Sequence, residues 1–308
     1  MTSSQTKIST TVRTSLKVKG IRLLFAVGGR LAPAGTERRA AALFTKPFAS
    51  SRTRARDAAL AGATKQTLRI GDCDIATYAW GDPASEPYVL FAHGWSSHGT
   101  RVVPWVAPLR AAGYAVVAFD HRAHGNSSGS DANLVAFTEL LLEIGRRHGP
   151  AAAVIGHSLG GAATALALSR GLAAERAILI APAADPVDAA RRFARLIGMA
   201  EYLCARMVAG FERRVGISFE QLQAHRAAPQ IGRPALIVHD LDDREVPWSE
   251  GERYARYWPQ ARLISTRGLG HKRIVDDSSV IAAGLRFLRG EDVGERVVSS
   301  PNLPYGFA

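Results

Sequence analysis

The feature that most constrains this chain is a glycine-flanked serine at the point where an apolar run gives way to helix-forming residues. Ala151-Ala152-Ala153-Val154-Ile155 leads into Gly156-His157-Ser158-Leu159-Gly160-Gly161, and Ala162, Ala163, Thr164, Ala165 and Leu166 follow. Glycines at Gly156 and Gly160 leave room for chains that approach closely at a sharp strand-to-helix turn. Such a turn holds Ser158 in a crowded conformation at the C-terminal edge of a sheet, and the helix N-terminus that follows favours negative charge nearby. A tight turn alone would also use these glycines. The strand before the serine and the helix after it favour a nucleophile.

The rest of the chain fits that context. Its 308 residues suit one large α/β domain with an insertion. Candidate strands at 74–80, 87–92, 115–120, 151–156, 177–181, 234–239 and 261–265 alternate with helical patterns near 101–112, 133–148, 159–171, 248–258 and 278–289. This alternation predicts a mostly parallel, doubly wound sheet with helices on both faces. About fifty residues separate Pro182 from Arg233, too many for an ordinary loop. Phe193, Leu196, Ile197, Ala200, Leu203, Cys204, Met207, Val208 and Phe211 recur there at helical spacing, with Arg191, Arg192, Arg195 and Arg206 between them. That pattern predicts an inserted amphipathic helix or helix pair, either extra core or a cap over a pocket. The resulting division is a basic extension 1–66, a core 67–182 and 234–290, a helical insertion 183–233 and a poorly ordered tail 291–308.

The net charge of +12 resides in the N-terminal part. Residues 1–69 hold fourteen Lys/Arg and two Asp/Glu, whereas the remainder holds twenty-five of each sign. The body has no excess to steer a polyanion, and the chain lacks aromatic interleaving or a nucleic-acid-binding module. The first 36 residues contain no acid, and the run Leu23 to Gly29 lies between Lys17, Lys19, Arg22 and Arg30. This arm reads as a solvated segment docked by its apolar residues, as a peripheral membrane contact through residues 1–36, or as a short cleaved signal. No stretch of 18 apolar residues occurs, and a cytoplasmic protein is expected, with peripheral membrane association open. The composition is silent on oligomeric state. Cys73 and Cys204 stand 131 positions apart and read as buried reduced thiols.

A serine hydroxyl needs a base. His271, in Gly268-Leu269-Gly270-His271 after the last apolar run, is the leading candidate. His157 adjoins the serine and points the wrong way, and His93, His98, His121 and His124 are weaker alternatives. A base needs an acid to orient it. Asp240, Asp242 and Asp243 follow the strand ending at His239, and spacing alone leaves the three open.

These segments together resemble the α/β-hydrolase superfamily over about residues 67–290, in particular its capped serine esterases and lysophospholipase-like members. The matching segments are "FAHGW", "DHRAHGNSSG" (with Ala123 where glycine is usual), "GHSLGG", and "HDLDDREVP" followed by "GLGH". The resemblance implies Ser158 as nucleophile, His271 as base and Asp243, three residues before Val246-Pro247, as acid. Asp240 departs from the family's usual glycine. The resemblance also implies an oxyanion hole from the backbone N–H groups of Trp95 and Leu159, supported by His93, Gly94, Gly156 and Gly160, with the insertion roofing an acyl pocket. His93 and the Asp120–Arg122 segment would brace loops. The implied activity is cleavage of a small-molecule acyl ester or thioester, with no cofactor and no metal. An aspartate in place of Ser158 would be expected of an epoxide hydrolase or dehalogenase. A cofactor-free haloperoxidase, a carbon–carbon bond hydrolase and a non-catalytic binding protein on the same scaffold remain alternatives.

Overall fold

The computed structural model describes residues 19–297. The first 18 residues of the basic arm and residues 298–308 of the tail lie outside that range. Along the described chain, helix α1 spans residues 19–31, followed by α2 (Pro33–Thr45), α3 (Ser50–Asp57), β1 (Thr64–Ile70), β2 (Cys73–Trp80) and β3 (Tyr88–Ala92). Next come α4 (Val103–Ala111), β4 (Ala115–Phe119), α5 (Leu134–His148), β5 (Ala151–His157), α6 (Leu159–Ser169) and β6 (Ala174–Ile180). The insertion holds α7 (Pro186–Ile197) and α8 (Glu201–Val215), followed in the chain by the single turn α9 (Ala224–Ala227). The chain closes with β7 (Ala235–Asp240), α10 (Trp248–Tyr257), β8 (Ala261–Thr266), the short α11 (Gly270–Arg273) and α12 (Ser278–Leu288).

Eight strands form one sheet in the order β1-β2-β4-β3-β5-β6-β7-β8. Strand β2 runs antiparallel to both neighbours, and every pairing from β4 to β8 is parallel. Strands β3 and β4 are buried at every position because helices cover both faces. Alternation then divides each strand between two cores. Tyr88, Leu90 and Ala92 of β3 join Leu141 and Ile144 of α5 on one face. Val89 and Phe91 join Trp105 and Leu109 of α4 on the other. Chain order reverses between β3 and β5, which pair with Ala92 opposite Gly156. A reversal of this kind opens a crevice at the strands' C-terminal ends.

Helix ends follow local chemistry. Asn133 caps α5 by accepting from the Ala136 N–H at 3.0 Å, and Gly149 ends it with φ of 80°. Asp277 caps α12 through the Ser279 and Val280 N–H groups.

The described chain divides into two compact units. The sheet unit comprises residues 46–185 and 221 onward; the helical unit comprises residues up to 45 together with 186–220. Within the helical unit α2 packs on α7 and α8, and Phe44 of α2 meets Phe193 of α7 and Phe211 of α8 at ring-centroid distances of 5.1 and 5.9 Å. The insertion's apolar residues thus share a core with the N-terminal helices. The boundary placed at residue 66 falls inside β1, and residues 46–66 belong to the sheet unit. Strand β1 escaped the sequence reading because it is a largely exposed edge strand without apolar alternation. In the segment read as tail, Glu295 bridges to Leu263 of β8, so residues as far as 295 add to the sheet edge. Both cysteines are buried and unpaired.

Candidate active site

Three loops at the C-terminal ends of β5, β7 and β8 bring Ser158, Asp243 and His271 together. Ser158 sits between β5 and α6 with φ of 55° and ψ of −120°. A non-glycine residue there carries strain on the order of 1–3 kcal/mol. Its backbone is fixed from both sides: the Ser158 N–H donates to the Ile180 carbonyl of β6 at 3.0 Å, and its carbonyl accepts from Gly161 at 2.9 Å. The flanking glycines answer to close approach. A Cβ on Gly160 would lie 2.2 Å from the Ala92 carbonyl oxygen, and one on Gly156 would lie 2.7 Å from Gly161 Cα. Gly94, in the loop after β3, faces the same crowding: its Cβ would lie 2.9 Å from Ser158 Cβ.

His271 Nδ1–H donates to Asp243 Oδ2 at 2.7 Å, and this bond sets the tautomer. Nε2 is left to accept from the Ser158 hydroxyl at 2.9 Å. All three side chains are buried. The other carboxylate oxygen, Asp243 Oδ1, accepts from the Glu245 and Val246 N–H groups at 2.8 and 3.0 Å. Burial alone would push the Asp243 carboxyl up. Bonding to the rings of His239 and His271, the attraction of His271 and the Val246 N–H outweigh it, and Asp243 is held well below the usual carboxylate range.

Asp240 and Asp242 take other parts. Asp240 pairs with Thr266 across β7 and β8, and its Oδ2 accepts from the Thr266 hydroxyl at 2.7 Å and the Leu269 N–H at 3.0 Å. It therefore ties the acid loop to the histidine loop. Asp242 accepts from the Gly268 N–H at 3.0 Å at the exposed end of the same junction. His157, passed over as a base, donates from Nε2 to the His271 carbonyl at 2.9 Å and holds the backbone of that loop. No sequence signal marks that role, because the partner atom is main chain 114 positions away.

Leu159 opens α6, and Trp95 follows Gly94 beyond β3. Among the described residues neither backbone N–H has a protein acceptor. The fully buried His93 donates from Nδ1 to the Gly94 carbonyl at 2.7 Å and accepts at Nε2 from the His121 N–H at 3.0 Å. With the carbonyl turned toward the ring, the Trp95 N–H of the same planar peptide points the opposite way. The sequence "DHRAHGNSSG" forms a neighbouring strut: Asp120 accepts from the Gly99 N–H, the Tyr78 hydroxyl and the Asn126 N–H. Helix α3 holds these loops as well. Arg54 donates to the Ser96 carbonyl at 2.7 Å, the Phe48 N–H donates to the Ser96 hydroxyl at 2.9 Å, and Arg52 donates to the Ser127 and Gly129 carbonyls at 2.9 Å each. His98 is engaged through Nδ1 with the Thr100 hydroxyl at 2.7 Å. Among the described residues no group of three or more His, Cys, Asp or Glu is arranged to hold a metal.

His93, His121 and His124 form an apolar nest around Phe137, with the His121 ring stacked on it at a centroid distance of 3.6 Å. Burial lowers each: His93 and His121 fall well below their ordinary value, and His124 falls to about 4. Burial, and then the neighbouring His271, lower His157 to about 3. The unfolded chain therefore binds more protons than the folded one as pH drops below about 6.5. Stability contributed by these four neutral rings is complete above that pH. It is lost on acidification, by about 1.4 kcal/mol per ring one unit below the free value. The thermal midpoint measured by circular dichroism is expected to drop by several degrees between pH 7 and pH 5; a flat profile would contradict the buried neutral assignment.

Comparison with known proteins agrees with this architecture. The family model described as serine aminopeptidase, S33, matches residues 83–212. Monoacylglycerol lipase of Mycolicibacterium smegmatis is 33% identical over 102 residues, which is 30% of this chain and 36% of that protein. Lysophosphatidylserine lipase ABHD12 of Danio rerio is 27% identical over 248 residues, 75% of this chain and 59% of its own length. The chain thus spans less than two thirds of either relative. The crystal structure of a membrane phospholipase A superposes with a TM-score of 0.58 at 21% identity, over 90% of this chain and 98% of that one. Seven strands running one way with one reversed, a glycine-flanked serine after β5 and these matches show that the chain has the α/β-hydrolase fold.

Proposed function

We propose that this protein is a serine hydrolase that cleaves a carboxylic ester or thioester through an acyl-enzyme intermediate. The observation that carries this reading is the unbroken line of hydrogen bonds from the Ser158 hydroxyl to His271 Nε2 and from His271 Nδ1 to Asp243. In the first step Ser158 Oγ bonds to the acyl carbon while its proton passes to His271 Nε2. The carbonyl oxygen becomes an anion that the Leu159 and Trp95 N–H groups stabilise, aided by the N-terminus of α6. The bond to the leaving oxygen or sulfur then breaks as Nε2 returns the proton to it. Water repeats the sequence: it gives a proton to Nε2, its oxygen attacks the acyl carbon, and the acid leaves as Ser158 regains its hydrogen. Asp243 remains ionised and steadies the imidazolium. An ester or thioester is favoured over an amide because its leaving group needs less protonation. The two curated relatives are named as lipases of monoacylglycerol and lysophosphatidylserine, which supports an acyl ester as the substrate class.

The test is covalent. A fluorophosphonate probe incubated with the folded protein should attach in a one-to-one ratio, and peptide mass mapping should place the adduct on Ser158. Folded protein that takes up no probe, or takes it up elsewhere, would overturn the proposal and favour a binding role on the hydrolase scaffold.

A further inference from the structure

We propose that the helical unit docks onto the surface of an anionic lipid bilayer through the outer face of α1. This helix carries two apolar faces. Phe25 and Gly29 turn inward: Gly29 lies against Leu203 of α8, and its carbonyl accepts from the Tyr202 hydroxyl at 2.8 Å. On the other side Leu24, Val27 and Leu31 recur at three- and four-residue spacing and fall within roughly 60° of one another around the helix axis. They stand in the open, with Leu24 56% and Leu31 81% exposed, and exposed Leu23 widens the stripe. An ordered apolar stripe left in water marks a surface meant to be covered.

Charge identifies the cover. The described residues of this unit hold eleven Lys/Arg and five Asp/Glu, and residues 1–18 add Lys7, Arg13 and Lys17 with no acid. Lys19 and Arg30 line one edge of the apolar stripe. An isologous pairing of two copies through this face would set two strongly basic units against each other, which like-charge repulsion opposes. An anionic headgroup layer satisfies both features, taking the leucines at the acyl boundary and the cations among the phosphates. The exposed ring of Tyr202, tethered beside α1 by its hydroxyl, suits the same boundary. Among the described residues no helix is long and apolar enough to cross a membrane, so the contact lies in the interface plane.

The experiment is co-sedimentation of the full chain with extruded phosphatidylcholine vesicles, with and without phosphatidylglycerol. Binding to the anionic vesicles should exceed binding to neutral ones by about tenfold or more. It should weaken between 0.1 M and 1 M salt as the screening length contracts from about 10 Å to about 3 Å. Leu24→Ser with Leu31→Ser should lower vesicle binding by about tenfold while leaving hydrolysis of a short soluble ester unchanged. Should that pair impair folding, Lys19→Gln with Arg30→Gln serves instead and should weaken binding to the anionic vesicles alone. Equal binding to both vesicle types, or undiminished binding by a folded variant, overturns the proposal. So does a wild-type dimer that these substitutions dissociate without any vesicle binding. Ser158→Ala should bind vesicles as the wild type does, so failure here and failure of the hydrolase reading are separable.

Discussion

Ser158→Ala is expected to lower kcat/KM on a soluble acyl ester by about 10⁴-fold or more, with the thermal midpoint nearly unchanged. The substitution removes one oxygen atom. Alanine keeps a Cβ of the same size at φ of 55°, so the strained turn meets the same crowding from Gly94 that serine meets. What disappears is the atom that bonds to the acyl carbon and the proton that Nε2 would accept. The residual rate would come from water attacking an ester polarised by the Leu159 and Trp95 N–H groups. Steady-state kinetics on purified protein decide the matter, and a variant retaining activity within about tenfold of wild type would remove Ser158 from the reaction.

The second large effect is expected at Asp243. Asp243→Asn should cost about 10³- to 10⁴-fold in kcat with little change in fold. An amide nitrogen facing His271 Nδ1 would favour the tautomer with hydrogen on Nε2, and that ring nitrogen could then no longer accept from the Ser158 hydroxyl. Asp240→Asn is the informative contrast. Its carboxylate accepts from Thr266, Leu269 and Asp242 and contacts neither Ser158 nor His271. Its loss should lower the thermal midpoint and reduce turnover by no more than about tenfold. Matched losses at both positions, or a larger loss at Asp240, would transfer the acid role away from Asp243.

The sheet and the serine turn were legible because both rest on short-range pattern. Fully apolar runs such as Val89–Ala92 and Ala115–Phe119 announce buried parallel strands, and Gly156 and Gly160 mark the place where backbones converge. The proposed order Ser158, Asp243, His271 came from resemblance, and the structure joins those three side chains by hydrogen bonds, whereas spacing alone left Asp240, Asp242 and Asp243 equivalent. Asp240 is separated from its neighbours by strand register: the pairing of Asp240 with Thr266 delivers its carboxylate to Leu269. The roles of His157 and His93 are likewise set by main-chain partners, which leave no mark on composition. The insertion's periodicity predicts a helix or helix pair, and α7 and α8 form there, but a period does not say which apolar surface will meet it, and within the helical unit that surface is α2. Helix α3, reading Ser-Ser-Arg-Thr-Arg-Ala-Arg-Asp, has almost no apolar content and so looked like part of a solvated arm.

That misleading helix bears on how the protein can be shortened. A chain trimmed to begin at residue 67, where the resemblance begins, would discard Phe48, Arg52 and Arg54 and free the segments around Ser96 and Ser127 that they fasten. Strand β1 would lose the pairings of Thr64, Lys65 and Gln66 with β2 while the peptide carrying Trp95 lost its anchorage, leaving a shortened edge strand and a slackened rim. A cut ahead of Lys46 would keep these bonds but strip α2 from the core it shares with α7 and α8, so neither the short arginine helix nor the helices before it can be dispensed with.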